Sequence, residues 1–326
     1  MWGRKRQETD RVPLSREPGE TMKLQLSIAM AVNPRTRPIF DGTVKADGID
    51  LIASPVDPSE LFWRQLRFGD FDVSEMSMSS LMIAIANGDD RWVGLPIFTT
   101  HFFFHTRILV RRDRGIDKPA DLKGKRVGVP EYQQTAALWS RGILQHEFGV
   151  VPSDMEFWME RPASHSHRAG ANFAPPPGVT IHEIPVEKNI GTMMASGELD
   201  ATLLYLSHKN LVDRSRIDLL NHPEIKRLFP DPVAEGTRYY RKTGLFPINH
   251  GMVIKREIAE KHPWAVLNLY KAFEAANQLA DEQRREHVDY HVTTGTIGAE
   301  AGAALQKPVL LHGIAANRAV LETAAR

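Results

Sequence analysis

The 326-residue chain contains no cysteine. That excludes disulfides, thiolate metal sites and a cysteine nucleophile, but it does not fix the compartment. An excess of charge is missing too: 41 Lys+Arg face 40 Asp+Glu, a net charge of +1. The basic residues are scattered among acids, so we expect neither a nucleic-acid partner nor a membrane surface, both of which favour a basic face. No apolar run approaches the roughly 18 residues of a membrane span. The first 21 residues, MWGRKRQETDRVPLSREPGET, carry five basic and four acidic side chains and no apolar stretch of the kind an export signal uses. We therefore expect a disordered extension over residues 1–22 and a cytoplasmic protein. The sequence also lacks a glycine-rich phosphate loop, a nucleophile elbow and an H-E-x-x-H pair, so no nucleotide is implied.

What is present is an alternation of short apolar runs with amphipathic stretches from Leu24 onward, the pattern of an α/β fold. Strands are expected at 24–30, 48–54 and 71–77, separated by a loop bearing Arg35 and by a helix over 58–70. In that helix Leu61, Phe62, Gln65 and Leu66 share a face, Ser59 serves as N-cap and Gly69 as stop. A buried helix follows at 79–88, then strands WVGLPIF and TRILVRR with TTHFFFH between them. After a basic linker, 111–125, a new unit begins. It has a strand at 126–129, a helix over 133–148, and strands at 155–159, 179–185 and 199–205. A helix over 187–198 precedes the last of these. Residues 160–178 form a Pro/Gly-rich loop of a length usually tied to function or disorder. FPINHGMVIKR (246–256) reads as a strand returning to the first unit, and a long helix over 256–286 closes the pattern. This gives two lobes, 23–110 with 245–326 and 111–244. The chain crosses twice between them, so a hinge and an interlobe ligand cleft are expected.

Several segments together carry a resemblance: RTRPIFDG (35–42), GIDL (48–51), FDVSEMSMSS (71–80), PIF (96–98), LKGKRVGVPEYQQTAALWSRGILQHEFGV (122–150), GELDA (197–201) and FPINH (246–250). In this order they resemble the 4,5-dihydroxyphthalate decarboxylase family. The resemblance implies a two-lobed type-2 periplasmic-binding-protein-like fold, each lobe a mixed sheet flanked by helices. It also implies non-oxidative loss of CO2 from a small aromatic carboxylate. The family often reads Phe-Arg-His before its fifth strand; here the stretch is Phe103-Phe104-His105. Solute-binding proteins share the fold, so the alternative is a receptor for a small aromatic or organic anion.

Such a decarboxylation must grip the carboxylate, engage a para hydroxyl, protonate the ring carbon and exclude water. For proton transfer the candidates are His250, in FPINH near the hinge, and His105, with Glu75 engaging ring hydroxyls. For binding they are Arg35 and Arg141 as bidentate forks, and Arg107, which faces with His105 if the strand is extended. To these we add the helix starts at Ser77–Ser79 and Gln133–Thr135, including Gln134, then Glu131, Tyr132, Trp139 and Asn249. The pair His165-x-His167 places two imidazoles in the long loop with no third ligand beside them, and exposed, unpartnered histidines are the default there. The reaction is expected to need no cofactor, or a divalent metal. A homodimer is the default assembly.

Overall fold

The computed structural model describes residues 22–306 and 310–326. The extension expected at 1–22 lies, Met22 apart, outside the described residues. Two mixed α/β layers follow. The first sheet is built from β1 (Leu24–Met30), β2 (Ile49–Pro55), β3 (Val73–Ser77), β4 (Trp92–His101) and, from the far end of the chain, a strand at Ile248–Lys255. The second holds β5 (Leu109–Arg111), β6 (Arg126–Val129), β7 (Glu156–Met159), β8 (Thr180–Glu183), β9 (Ala201–Thr202) and β10 (Ile225–Arg227), which makes the returning strand β11. Among the described residues the strand orders are β2-β1-β3-β11-β4 and β10-β5-β9-β6-β7-β8. Parallel pairs dominate, with β11 antiparallel to both β3 and β4, and β5 antiparallel to β9 and β10.

The helices flank these sheets: α1 (Arg37–Phe40), α2 (Pro58–Phe68), α3 (Met78–Ala86), α4 (Thr135–Phe148), α5 (His167–Ala171), α6 (Ile190–Ser196), α7 (Pro232–Thr243), α8 (Arg256–Lys261), α9 (Pro263–Thr293), α10 (Ala299–Leu305) and α11 (Ile314–Ala325). On α9, Ala265, Leu269, Ala272, Phe273 and Ala276 recur at helical spacing and pack on Leu26, Ile28, Met252 and Ile254 of the first sheet. Burying a side chain the size of Leu269 or Phe273 is worth about 2–3 kcal/mol. The opposite face takes Leu61, Phe62 and Leu66 of α2, as their spacing predicts.

Several boundaries differ from the expected ones. The cap of α2 is Asp57, whose carboxylate accepts from Ser59 N–H, with Pro58 in the first turn where its missing N–H costs nothing. The expected helix over 256–286 is broken at Pro263, which cannot donate to the preceding turn, and α9 then runs on to Thr293. Helices α7 and α11 and strand β10 have no counterpart in the sequence reading.

The crossing expected at 110/111 would cut β5, which already belongs to the second sheet; the chain leaves the first sheet at His101. It returns between Thr243 and Ile248. The two crossings touch: Phe102 N–H donates to Pro247 O at 3.1 Å, and Phe103 stacks on Phe246 with centroids 4.7 Å apart. No described helix is long and apolar enough to cross a membrane.

Candidate functional site

Glu75 is fully buried at the cleft end of β3, and four donors converge on it. Ala31 N–H reaches one oxygen at 2.8 Å; Thr99 hydroxyl, Thr100 hydroxyl and His250 Nδ1 reach the other at 2.6, 3.3 and 3.0 Å. Burial alone would raise its proton affinity, but the bond and charge of His250, with Ala31 and Thr99, hold the carboxyl below the ordinary range. An ionised carboxylate only accepts, so Nδ1 of His250 carries a proton and Nε2 is the nitrogen left to gain or lose one. The register of β11 slips between Ile248 and Met252. Gly251 permits the slip, because a Cβ there would stand 2.7 Å from Met78 sulfur. Met252 and Ile254 pack toward α9, while the His250 ring, nearer the strand's start, meets Phe62 of α2 edge-on at 4.7 Å. Asn249 Nδ2 lies 2.8 Å from His250 Nε2, which leaves Asn249 Oδ1 buried without a partner.

The second lobe brings its own cluster to the same phenylalanine. His167, fully buried at the start of α5, meets Phe62 edge-on at 5.9 Å. The two imidazoles thus lie no further apart than these two separations combined. Arg161 Nη1 donates to His167 Nε2 at 3.2 Å. Ser59 O lies 3.4 Å from the same nitrogen, a longer contact than the one to Arg161; since arginine cannot accept, the shorter bond assigns the lone pair to Nε2 and the proton to Nδ1. That Nδ1–H is buried and unpartnered among the described residues. Burial first, then the Arg161 charge, pushes the His167 imidazole down to about 3, so it is neutral near pH 7.

Arg161 itself is paired with Asp213 at 2.7 Å and stands 3.8 Å from Glu131. Glu131 accepts from His167 N–H at 2.8 Å, Ser166 hydroxyl at 2.9 Å and Gln133 Nε2 at 2.6 Å. Burial nonetheless pushes its carboxyl up. Glu131 is therefore a positioning residue. It fixes the backbone of His167 and turns the Gln133 amide so that Oε1, buried and unpartnered, faces away from it.

The two expected anion-binding helix starts meet each other. Helix α4 begins at Thr135 rather than Gln133, with Gln134 as N-cap. Thr135 hydroxyl accepts from Ser79 N–H at 3.0 Å and lies 2.8 Å from Ser77 hydroxyl, while Ser79 hydroxyl donates to Gln133 O at 2.5 Å. Ser77, Ser79 and Thr135 thus hold the lobes together here. Gln134 makes no side-chain hydrogen bond among the described residues and, buried at this seam, keeps a free amide.

Residues 160–178, expected as a loop, contain α5 and clasp the first lobe. Trp63 Nε1–H donates to Ser164 O at 3.0 Å and stacks on His165 at 5.1 Å; Asn87 donates to Ala171 O and Asn172 O. The exposed-histidine default for His165 and His167 is therefore corrected: His165 stacks on the opposite lobe and His167 turns into the cleft. Among the described residues no three His, Asp or Glu side chains are grouped to hold a metal ion.

Other expectations also need correction. The chain at Phe104–Arg107 is a 3-10 turn, not an extended strand. His105 is buried against Phe229 and Tyr239 and bonds Glu235 at 3.1 Å, inside the hinge. Arg107 is exposed over the Phe102 ring, against which Phe104 also packs. Trp139 belongs to the hinge core, its Nε1–H bonded to Ile248 O at 3.0 Å. Tyr132 lies in the core of the second lobe, and Arg141 covers its ring at 3.7 Å while donating to its backbone oxygen at 2.5 Å. Burial pushes the Arg141 guanidinium down to about 10. Arg35 bonds Asn277 on α9 at 2.7 Å and stands 3.3 Å from His312.

Two open surface depressions, about 630 Å³ near Phe68, Asn87 and Asn172 and about 590 Å³ along Arg238 and Lys242, are lined by none of the cleft residues. Arg161, His167 and Phe62 had no reading as cleft residues in the sequence. The one usable signal was Arg161 standing just past a strand end, where α/β sheets place ligand groups.

Residues 90–160 match the family model described as NMT1/THI5 like. A 4,5-dihydroxyphthalate decarboxylase from Comamonas testosteroni is 38% identical over 258 residues, 79% of this chain and 76% of that protein. One from Pseudomonas putida is 37% identical over 229 residues, 70% of this chain and 86% of that protein. Among solved structures, the periplasmic aliphatic sulphonate binding protein of Escherichia coli superposes with a TM-score of 0.50 at 16% identity, over 94% of this chain and 86% of that one. That likeness bears on the fold alone: two lobes, each a mixed sheet flanked by helices.

Proposed function

The chain belongs to the 4,5-dihydroxyphthalate decarboxylase family, and from that membership we propose that it removes CO2 from a hydroxylated aromatic carboxylic acid of the 4,5-dihydroxyphthalate type, using His250 as proton donor. Ionisation of the hydroxyl para to the carboxylated carbon pushes electron density onto that carbon, which takes a proton from His250 and forms the C–H bond. The bond to the carboxyl carbon then breaks, CO2 leaves, and the electron pair it leaves behind restores the aromatic ring. From 4,5-dihydroxyphthalate the product is 3,4-dihydroxybenzoate.

The observation that carries the reading is the Glu75–His250 pair at 3.0 Å. A buried carboxylate accepting from Nδ1 fixes the ring and aims Nε2 outward, the arrangement a general acid needs. Asn249 fits both states of the ring: its amide nitrogen donates to a neutral Nε2, and its oxygen accepts from a protonated one. From the second lobe, His167 Nδ1–H is a donor for an anionic oxygen and Gln133 Oε1 an acceptor for a ring hydroxyl. Phe62 supplies the wall between them. The clasp over 160–178 and the Ser79–Thr135 seam exclude water, which strengthens each of these contacts.

The test is CO2 detection on 4,5-dihydroxyphthalate with wild type and His250→Ala, each with and without chelator. Release by the wild type and loss in the variant support the reading. Loss with chelator adds a metal to it. Tight binding without CO2 release overturns it in favour of a ligand-carrying protein.

A further inference from the structure

A second group of bonding side chains stands beside the dyad. Arg35 Nε donates to Asn277 Oδ1 at 2.7 Å, and its Nη2 lies 3.3 Å from both ring nitrogens of His312. Nη1 is buried with no partner among the described residues, and so is Nε2 of His101. Asn277 is itself fixed, its Nδ2 donating to Leu310 O at 3.0 Å. His312 accepts Phe98 N–H at 3.1 Å, and Gly313 N–H donates to Pro96 O at 2.8 Å, so the C-terminal segment is seated on β4. The cluster is built rather than incidental.

Its guanidinium has no ion-pair partner among the described residues. Glu274 of α9 acts on Arg35 through its charge without forming an ion pair with it. Burial, only partly offset by Glu274, lowers the guanidinium to about 10. Burial and then Arg35 lower His101 to about 4; burial, Arg35 and His101 lower His312 to about 3. A guanidinium kept out of water without an anion is costly, and a carboxylate meeting its fork would relieve all three groups.

The cluster also adjoins the dyad along the backbone. Ala31, whose N–H holds Glu75, opens the loop that carries Arg35. Thr100, whose hydroxyl reaches Glu75, precedes His101, and His101 pairs with Ile248, two residues before His250.

Resting on the decarboxylase reading above, we propose that Arg35, His101 and His312 form a subsite for the carboxylate that the reaction leaves on the ring. The subsite makes the enzyme select vicinal dicarboxylates over monocarboxylates. One carboxylate is seated there, and its neighbour is presented to His250.

The experiment is calorimetric binding of the inhibitors phthalate and benzoate, which differ only in the second carboxylate, to wild type, Arg35→Met, Arg35→Lys and His312→Gln. Wild type should bind phthalate the more tightly. Arg35→Met should weaken phthalate by roughly ten- to a hundredfold while moving benzoate less than about threefold, the loss of a charge-assisted bond. Arg35→Lys should recover part of the preference. His312→Gln, whose amide can keep the Phe98 bond, should lose a smaller part. Equal shifts for both inhibitors, or a wild type that does not distinguish them, overturn the subsite. Selective phthalate binding, lost in Arg35→Met, in a protein that releases no CO2 would uphold the subsite and sink the decarboxylase reading instead.

Discussion

The carboxylate of Glu75 reaches His250 Nδ1 at 3.0 Å although its backbone partner on β11 is Met252, two residues further on. The contact is a same-face diagonal across the regular β11–β3 ladder, His250 being paired with Ser77. Glu75→Gln preserves size and replaces an acceptor-only group with an amide that no longer stabilises an imidazolium. We expect kcat to fall by roughly 10²- to 10⁴-fold with KM little changed, measured by CO2 release. Glu75→Leu should in addition lower stability by about 3–5 kcal/mol, since it strands the donors of Ala31, Thr99 and His250 in the interior. A Gln variant with wild-type kcat would remove Glu75 from the mechanism.

His167 should behave as a binding group from the other lobe. His167→Phe keeps the edge contact with Phe62 and loses the Nδ1–H donor. The expected result is a rise in KM of about tenfold, with a much smaller effect on the melting temperature than Arg161→Leu, which leaves Asp213 and Glu131 buried without their cation. An unchanged KM would place the substrate elsewhere.

Acid should destabilise the protein earlier than its carboxylates alone would require. His101, His167 and His312 are held at about 4, 3 and 3 in the folded chain against 6.5 ordinarily. The unfolded chain therefore binds more protons than the folded one below about pH 6.5. Stability is full above that value and drains away as pH falls toward 4 and then 3, by up to about 1.4 kcal/mol per pH unit for each histidine. Urea unfolding at pH 7, 6 and 5 should show this slope, and His167→Gln should flatten it by about one proton. A flat profile between pH 7 and 5 would contradict the buried neutral state of all three.

Much of this was readable from the chain because the strongest signals are local. A carboxylate late in a buried strand, Glu75, and a histidine on a strand returning through the hinge, His250, both stand where α/β lobes place ligand groups. The failures have specific causes. His105 and Arg107 were paired by a period of 2, which a 3-10 turn does not obey. Trp139 and Arg141 read as cleft candidates because a helix face toward the core and one toward the cleft carry the same spacing, and Tyr132, ahead of α4, because a strand-to-helix turn can aim a side chain into either. Arg161 with Asp213, and Arg35 with His312, are contacts across 52 and 277 residues that no local pattern encodes.

Arg141 separates structural from ligand-binding arginines. Its guanidinium lies on the Tyr132 ring and donates to that residue's backbone oxygen just ahead of α4, so it pins the turn that presents Gln133 and Gln134. Arg141→Met should destabilise the second lobe by about 1–3 kcal/mol through the lost charge-assisted bond and stacking. It should leave the phthalate-to-benzoate preference intact, in contrast to Arg35→Met. A loss of that preference in Arg141→Met would mean that its fork, too, meets the substrate carboxylate.

The clasp over residues 160–178 supplies the last test. Trp63 holds it by a hydrogen bond to Ser164 O and by its stack on His165, and the same segment carries His167 to Phe62. Trp63→Ala removes both holds without touching the dyad. The segment should then open more often, because local opening is governed by the few contacts that tie it down. Limited proteolysis within 160–178 should accelerate, phthalate should protect less well than in wild type, and kcat/KM should fall by about tenfold as His167 is presented less often and water enters. Faster proteolysis with an unchanged kcat/KM would show that the clasp is only a structural tie, and that the chemistry is complete within the first lobe.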